Sequence, residues 1–244
     1  MYVVEYPVRC KVSNMSSRQS HEVSPPQLNR ETVVFRALAL ADAEGLAAVT
    51  IRRVAQEFDV TPMALYWHFS NKEELLAAMG DQLFVGLSPE TSFSAPWQDQ
   101  LRELVLALTT ALRAHPAAAI LAAPRVLQSD EGRLLTERAL EVLRYAGFCA
   151  DRAGEIARHI LRTAISLVIE QVATGASAPP ERRAQDIQTK RLALQGLPVD
   201  RFPRLVEAAE ALADCSDEDA YYGFGVDLLI AGIATVRPHS PPRT

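Results

Sequence analysis

Cysteine is scarce in this chain: there are three in 244 residues, at positions 10, 149 and 215, and none lies in a Cys-x-x-Cys spacing. An odd, scattered set of this kind excludes a disulfide framework and a cysteine-based zinc site, and fits a reducing compartment. Glycine is scarce as well, with 11 residues, and no run of alternating β-branched residues signals a strand. No apolar stretch reaches the roughly 20 residues that span a bilayer. Residues 1–6 lack the cationic lead and apolar core of an export signal. Also missing are a Gly-x-Ser-x-Gly elbow, a His-Glu-x-x-His pair and a Gly-rich phosphate loop. We therefore expect no catalytic residue, no metal site, no cofactor and no membrane partner. What remains is a chain rich in Ala, Leu, Arg and Glu, good helix formers all. The expectation is an all-α, cytoplasmic protein of one or two helical domains.

The formal net charge is −5, which taken alone argues against a polyanionic partner. Its distribution matters more. Residues 28–72 hold five Lys/Arg and five Asp/Glu, whereas residues 87–244 hold 17 against 20. A neutral segment can grip an anion only if its few cations are well placed, since no broad basic field assists them.

Residues 1–27 mix Ser, Pro and isolated charges without helical periodicity, and are expected to form a disordered arm. A first helix is predicted over 29–44, capped by Asn29, with Val33, Val34, Ala37, Leu38 and Ala41 as its buried face and Gly45 as its stop. Ile51, Val54, Ala55 and Phe58 follow the i, i+3, i+4, i+7 spacing of a second, short helix. Thr50 is placed to cap it, and Arg52 and Arg53 fall off its apolar stripe. After Asp59-Val60 a third helix starts, with Thr61 as cap and Pro62 at the first position, where a missing N–H costs nothing. Asn71 caps a fourth helix over 72–85, with Glu73 and Glu74 near its positive end. Two short helices joined by a tight turn make a helix-turn-helix, whose second helix enters the DNA major groove. Residues 28–86 therefore read as a DNA-binding headpiece and 87–244 as a second domain, the boundary punctuated by Gly86-Leu-Ser-Pro89.

The string Leu65-Tyr66-Trp67-His68-Phe69, followed by Asn71-Lys72 and preceded by Thr50-x-Arg52-x-Val54-Ala55, resembles the DNA-binding domain of the tetracycline-repressor (TetR) family. The resemblance implies that Arg52 reads a guanine, a task suited to its fork of donors. It implies that Tyr66, Trp67 and His68 clamp sugar and phosphate, and that Thr50, Thr61 and Lys72 bind phosphate oxygens. Pro62, Met63 and Ala64 fill the exposed first turn of the reading helix. They lack strong donors and can offer only apolar contact, for instance to a thymine methyl. Leu65 and Phe69 read as headpiece core.

Downstream, helical patterns cover 97–114, a short piece near 116–122, 131–146, 151–174, 202–214 and 217–236, while 175–201 reads as a Pro-rich, charged connection with one short helix starting at Pro180. This layout resembles the C-terminal domain of the same family, including Gly147-Phe148 before a long helix. A helical regulator binds its effector between helices. Polar residues stranded among apolar ones are the expected lining: Trp97, His115, Arg125, Tyr145, His159, Thr163, Glu170 and Gln171. The helices over 151–174 and 217–236 carry more apolar surface than one buried face needs, which predicts a dimer held by Ile160, Leu167, Val168, Phe224, Leu228 and Ile230.

The family's drug-binding members chelate a magnesium–drug complex with a histidine in the short sixth helix and a glutamate late in the eighth. Glu170 matches the glutamate, but residues 117–124 contain no histidine and His115 precedes Pro116, so no metal–tetracycline response is expected. The resulting expectation is a dimeric, ligand-responsive regulator, read as a repressor, that binds double-stranded palindromic operator DNA and is released by a small molecule. The alternative is a helical ligand- or partner-binding protein without specific DNA binding, favoured by the apolar Pro62-Met63-Ala64 and by the net negative charge.

Overall fold

Short side-chain caps set where the first helices begin. The computed structural model describes residues 28–87, 95–173, 179–214 and 217–236, the side chains of residues 171–173 and 180 excepted. The arm expected over residues 1–27 lies outside the described residues. Helix α1 (Arg30–Glu44) starts at Asn29, whose Oδ1 accepts from the Thr32 N–H at 2.8 Å while the Thr32 hydroxyl accepts from the Asn29 N–H at 3.1 Å. It ends at Gly45 with φ 88°, a left-handed value that favours glycine. Helix α2 (Ile51–Glu57) is capped by Thr50, which accepts from the Arg53 N–H. Helix α3 (Pro62–Tyr66) has Pro62 in its first turn, but the Thr61 hydroxyl caps nothing there, contrary to expectation. Helix α4 (Lys72–Gln82) is capped by Asn71, which accepts from the Glu74 N–H at 2.8 Å.

One arginine pins these helices together. Arg30, in the first turn of α1, donates to the His68 carbonyl at the end of α3 and to Glu74 in α4. Its guanidinium also lies 4.4 Å from the centre of the Phe69 ring. Beneath it Leu38, Leu65, Phe69 and Leu75 are fully buried. Glu74 in turn accepts from the Ser70 N–H at 2.8 Å. The Ser70 N–H and the Arg30 guanidinium together hold the Glu74 carboxyl below the usual carboxylate range.

The second half is built on α5 (Trp97–Ala114), a 3₁₀ turn over Pro116–Leu121, α6 (Ala122–Arg125), α7 (Asp130–Tyr145) and α8 (Ala150–Ala173). On α5 the residues Leu101, Leu104, Val105, Leu108 and Leu112 are buried, the i, i+3, i+4, i+7 stripe of an amphipathic helix. Helix α12 (Glu218–Thr235) packs on α5 and α8, with Arg102 to Asp227 at 2.6 Å and Arg113 to Asp219 at 2.7 Å across the first contact.

Two expectations are corrected between them. The 175–201 connection holds not a short helix but the 16-residue α9 (Pro180–Gln195), and the single helix expected over 202–214 is two pieces, α10 (Pro203–Glu207) and α11 (Ala209–Ala213). Helix α9 lacks an apolar stripe because its order comes from packing on α10 and α11 and from ion pairs, Arg191 to Glu210 at 2.9 Å and Arg183 to Glu218 at 3.1 Å.

The headpiece is seated on residues 115–125. Asp42 of α1 accepts from the His115 ring at 2.8 Å. Asp81 of α4 takes a two-pronged grip from Arg125, Nε to Oδ1 at 2.7 Å and Nη2 to Oδ2 at 2.8 Å. Gly80 lets this seam close, since a Cβ built there would lie 2.6 Å from the Arg125 Cγ and 3.0 Å from the Leu121 carbonyl oxygen.

Two expected outcomes follow from these contacts. Because the folded Glu74 value lies below the unfolded one, its contribution is complete at neutral pH and disappears as pH falls from about 4.3 through that lowered value. Glu74→Gln is thus expected to melt lower than the parent at neutral pH, with the gap narrowing in acid, as thermal melts across that range would record. In Gly80→Ala the gain in helix propensity, about 1 kcal/mol, is outweighed by overpacking worth about 1–3 kcal/mol. That variant should melt lower, while Gly154→Ala, whose added Cβ meets nothing within 4 Å, should melt higher.

Candidate DNA interface and effector cavity

Of the five basic residues between positions 28 and 72, three are consumed internally. Arg30 is bound to Glu74, Arg36 reaches Glu57 at 3.8 Å, and Arg53 is held by both Glu44 and Glu57. Those two carboxylates hold the Arg53 guanidinium even more firmly protonated than usual. Arg53, expected to point outward beside Arg52, is therefore a half-buried strut. Arg52 and Lys72 carry no ion pair among the described residues, and they flank α3 on either side in sequence.

Helix α3 presents an unusual face between those two cations. Trp67 is 87% exposed and Met63 68%, with Tyr66 and Thr61 also exposed and Pro62, Ala64 and His68 half-buried. Large apolar groups lying together in water mark a contact surface. The Thr50 hydroxyl accepts the Arg53 N–H but keeps its own proton free to donate outward. The ten residues assigned to DNA, Thr50, Arg52, Thr61, Pro62, Met63, Ala64, Tyr66, Trp67, His68 and Lys72, thus fall within α2, α3, the turns beside them and the first residue of α4.

A cavity of about 500 Å³ lies between α5, α6, α7 and α8. Leu104, Leu108, Leu140 and Leu161 line it, with Thr136, Arg158 and Arg162 as its polar groups. It exists because Ala123, Ala139, Gly154 and Ala157 face it, four positions with almost no side chain to fill the gap.

Of the eight residues expected to line the cavity, the seven whose side chains are described do not, and the reasons are visible. Trp97 packs edge-on against Phe148 at 6.0 Å. His115 and Arg125 are spent on Asp42 and Asp81. Tyr145 and Glu170 are exposed on the surface. Thr163 is half-buried elsewhere on α8. His159 lines a separate groove of about 340 Å³ between α8 and α12. The Gln171 side chain lies outside the described residues. Looking for stranded polar groups missed the cavity, because missing volume, not stranded polarity, creates it. A stripe of Ala and Gly on facing helices was the available signal.

The six dimer residues divide as well. Ile160, Val168 and Ile230 are buried inside the protomer and offer no outward surface, which corrects that part of the expectation. Leu167 is half-buried against Gly225. Phe224 at 64% and Leu228 at 58% exposed stand on the outer face of α12, one turn apart. Apart from Glu218, Asp219 and Asp227 that helix is largely apolar, so its inner face (Tyr222, Val226, Ile230, Ile233) fills the core while Phe224 and Leu228 stay exposed.

Among the described residues, no cluster of three or more His, Cys, Asp or Glu side chains is placed to hold a metal ion, and no single helix is long and apolar enough to cross a membrane.

Comparison with known proteins agrees with this geometry. The family profile described as "Bacterial regulatory proteins, tetR family" matches residues 36–79, and "Tetracyclin repressor-like, C-terminal domain" matches residues 91–237. The class G tetracycline repressor protein of Vibrio anguillarum is 30% identical over 218 residues, which cover 86% of this chain and 96% of that protein. The HTH-type transcriptional repressor DrrR1 of Streptomyces coeruleorubidus is 26% identical, covering 85% of this chain and 78% of its own. Among solved structures, the Streptomyces coelicolor TetR family protein ActR in complex with actinorhodin superposes with a TM-score of 0.72 at 27% identity, covering 86% of this chain and 96% of that one. With an exposed reading helix between two unpaired cations, a cavity in the helical half and both profiles matched, the chain belongs to the tetR family of bacterial regulatory proteins, as a DNA-binding transcriptional regulator with a ligand-binding C-terminal domain.

Proposed function

We propose that the protein acts in the cytoplasm as a homodimeric repressor, not an enzyme. In this reading residues 28–86 grip a palindromic operator, and residues 87–244 hold the dimer and a small-molecule effector that releases it. The observation that carries the DNA assignment is the internal neutralisation of Arg30, Arg36 and Arg53, which leaves Arg52 and Lys72 as the free cations beside α3. Arg52 is our polar base reader, with Met63 and Ala64 supplying apolar contact. Thr50, Thr61, Tyr66, Trp67, His68 and Lys72 are assigned to the backbone.

A headpiece with so few free charges binds weakly alone, and two copies with reading helices about 34–36 Å apart would meet successive major grooves on one DNA face. The outer face of α12, with Phe224 and Leu228, and the adjoining groove with His159 are the surface we assign to the partner subunit.

Release is assigned to the seam. Ala123 and Val126 line the cavity, and Arg125, between them, is fastened to Asp81 of α4. A ligand displacing one wall of the cavity therefore pulls on the helix that carries the DNA reader. The ligand shifts operator affinity only by its differential binding to the two headpiece positions.

The relatives named as tetracycline repressors bring that drug forward as an effector, but the cavity lining carries no imidazole and no carboxylate. His115 is held by Asp42, and Glu170 is exposed in the last turn of α8. Our reading keeps an effector other than a magnesium–tetracycline complex. Drug-induced release from the operator at low drug concentration would contradict it.

Two variants test the remainder. Arg52→Ala is expected to weaken operator binding by about 1–3 kcal/mol, roughly five- to a hundred-and-fiftyfold, with the dimer intact by sedimentation. Phe224→Glu with Leu228→Glu is expected to give monomers that keep their fold by circular dichroism and lose the shift on a full palindrome. A dimeric double variant would sink the interface assignment.

A further inference from the structure

Resting on the reading of the α5–α8 cavity as the effector site, we propose that its effector is an anionic amphiphile: an aromatic or polycyclic body with one carboxylate, sulfonate or phenolate group, held by Arg158 and Arg162.

The lining is uneven. Its α5 and α6 walls are aliphatic, supplied by residues such as Leu104, Leu108 and Val126. Its charged members both come from α8 and are both positive, and no acidic residue lines the space. Arg158 and Arg162 are four residues apart on one helix, so their stems lie one turn from each other on the same face, where like charges oppose each other. Neither takes part in an ion pair among the described residues. Glu155, one turn before Arg158, is bound to Arg152 at 2.7 Å. Of the other twelve described arginines of the second half nine are in ion pairs, and the three that are not, Arg144, Arg182 and Arg201, do not line the cavity.

An arginine fork accepts a planar carboxylate or a sulfonate with two parallel hydrogen bonds, stronger than neutral ones. The aliphatic walls take the apolar body, and the cavity volume of about 500 Å³ suits two or three linked rings. Thr136, on the facing helix α7, donates its hydroxyl to the Gly132 carbonyl at 2.8 Å, which leaves its oxygen to accept from a phenol of the same ligand.

The test uses a matched pair of fluorescent probes with nearly the same aromatic body. One, 1-anilinonaphthalene-8-sulfonate, is anionic, and the other, N-phenyl-1-naphthylamine, is neutral. Both are titrated into the full-length protein, into Arg158→Gln with Arg162→Gln, and into Ala157→Phe, which fills the cavity. The anionic probe should bind the parent about tenfold or more tighter than the neutral one. The arginine double variant should lose that preference while its affinity for the neutral probe stays the same, and Ala157→Phe should weaken both. Equal affinities for the two probes in the parent, or a preference that survives the double variant, would overturn the proposal and leave the cavity standing. If neither probe binds, or Ala157→Phe weakens neither, the cavity reading and this proposal fall together.

Discussion

The Asp81–Arg125 grip holds the two halves of this protein in register. Its two hydrogen bonds at 2.7 and 2.8 Å join the helix that carries the DNA reader to the wall of the ligand cavity. The pair is only partly buried, and such a pair contributes about 1 kcal/mol or less to stability. Its importance is geometric: a bidentate fork fixes direction as well as distance. Gly80 keeps the backbones close enough for the fork to reach, and Asp42 with His115 holds the other edge of the same seam at 2.8 Å.

The same economy governs the charges. The headpiece does not spread positive charge over its surface; it ties Arg30, Arg36 and Arg53 down with carboxylates and leaves Arg52 and Lys72 beside α3. The cavity repeats the device, with aliphatic walls and two unanswered arginines at the rim. In both places the cations to which we assign a function are among those the fold leaves without an acidic partner.

Much of the headpiece was legible in the sequence because its determinants are local. Asn29, Thr50 and Asn71 cap helices through hydrogen bonds to residues three positions on, and Gly45 stops α1 with a positive φ, so each signal sits beside its effect. The seam was not legible. Asp42 and His115 are 73 residues apart and Asp81 and Arg125 are 44 apart, and nothing local ties either pair together. His115 and Arg125 therefore read as stranded polar groups and as pocket lining, whereas the fold engages them with Asp42 and Asp81 outside the cavity lining. Ile160, Val168 and Ile230 read as dimer surface because apolar excess along a helix does not say which face turns inward. Helix α9 was shortened for the opposite reason: it is charged throughout, and its order comes from α11 and from ion pairs with distant acids. The cavity is set by Ala123, Ala139, Gly154 and Ala157, small residues whose effect appears only when their helices face one another.

The central claim is that a ligand in the cavity is felt at α4 through Arg125. Hydrogen exchange over residues 72–82 measures this directly, with and without saturating 1-anilinonaphthalene-8-sulfonate, in the parent and in Arg125→Ala. The account predicts that the probe changes the protection of α4 in the parent and leaves it unchanged in Arg125→Ala. An α4 indifferent to the probe in the parent, or the same response in both proteins, would contradict it.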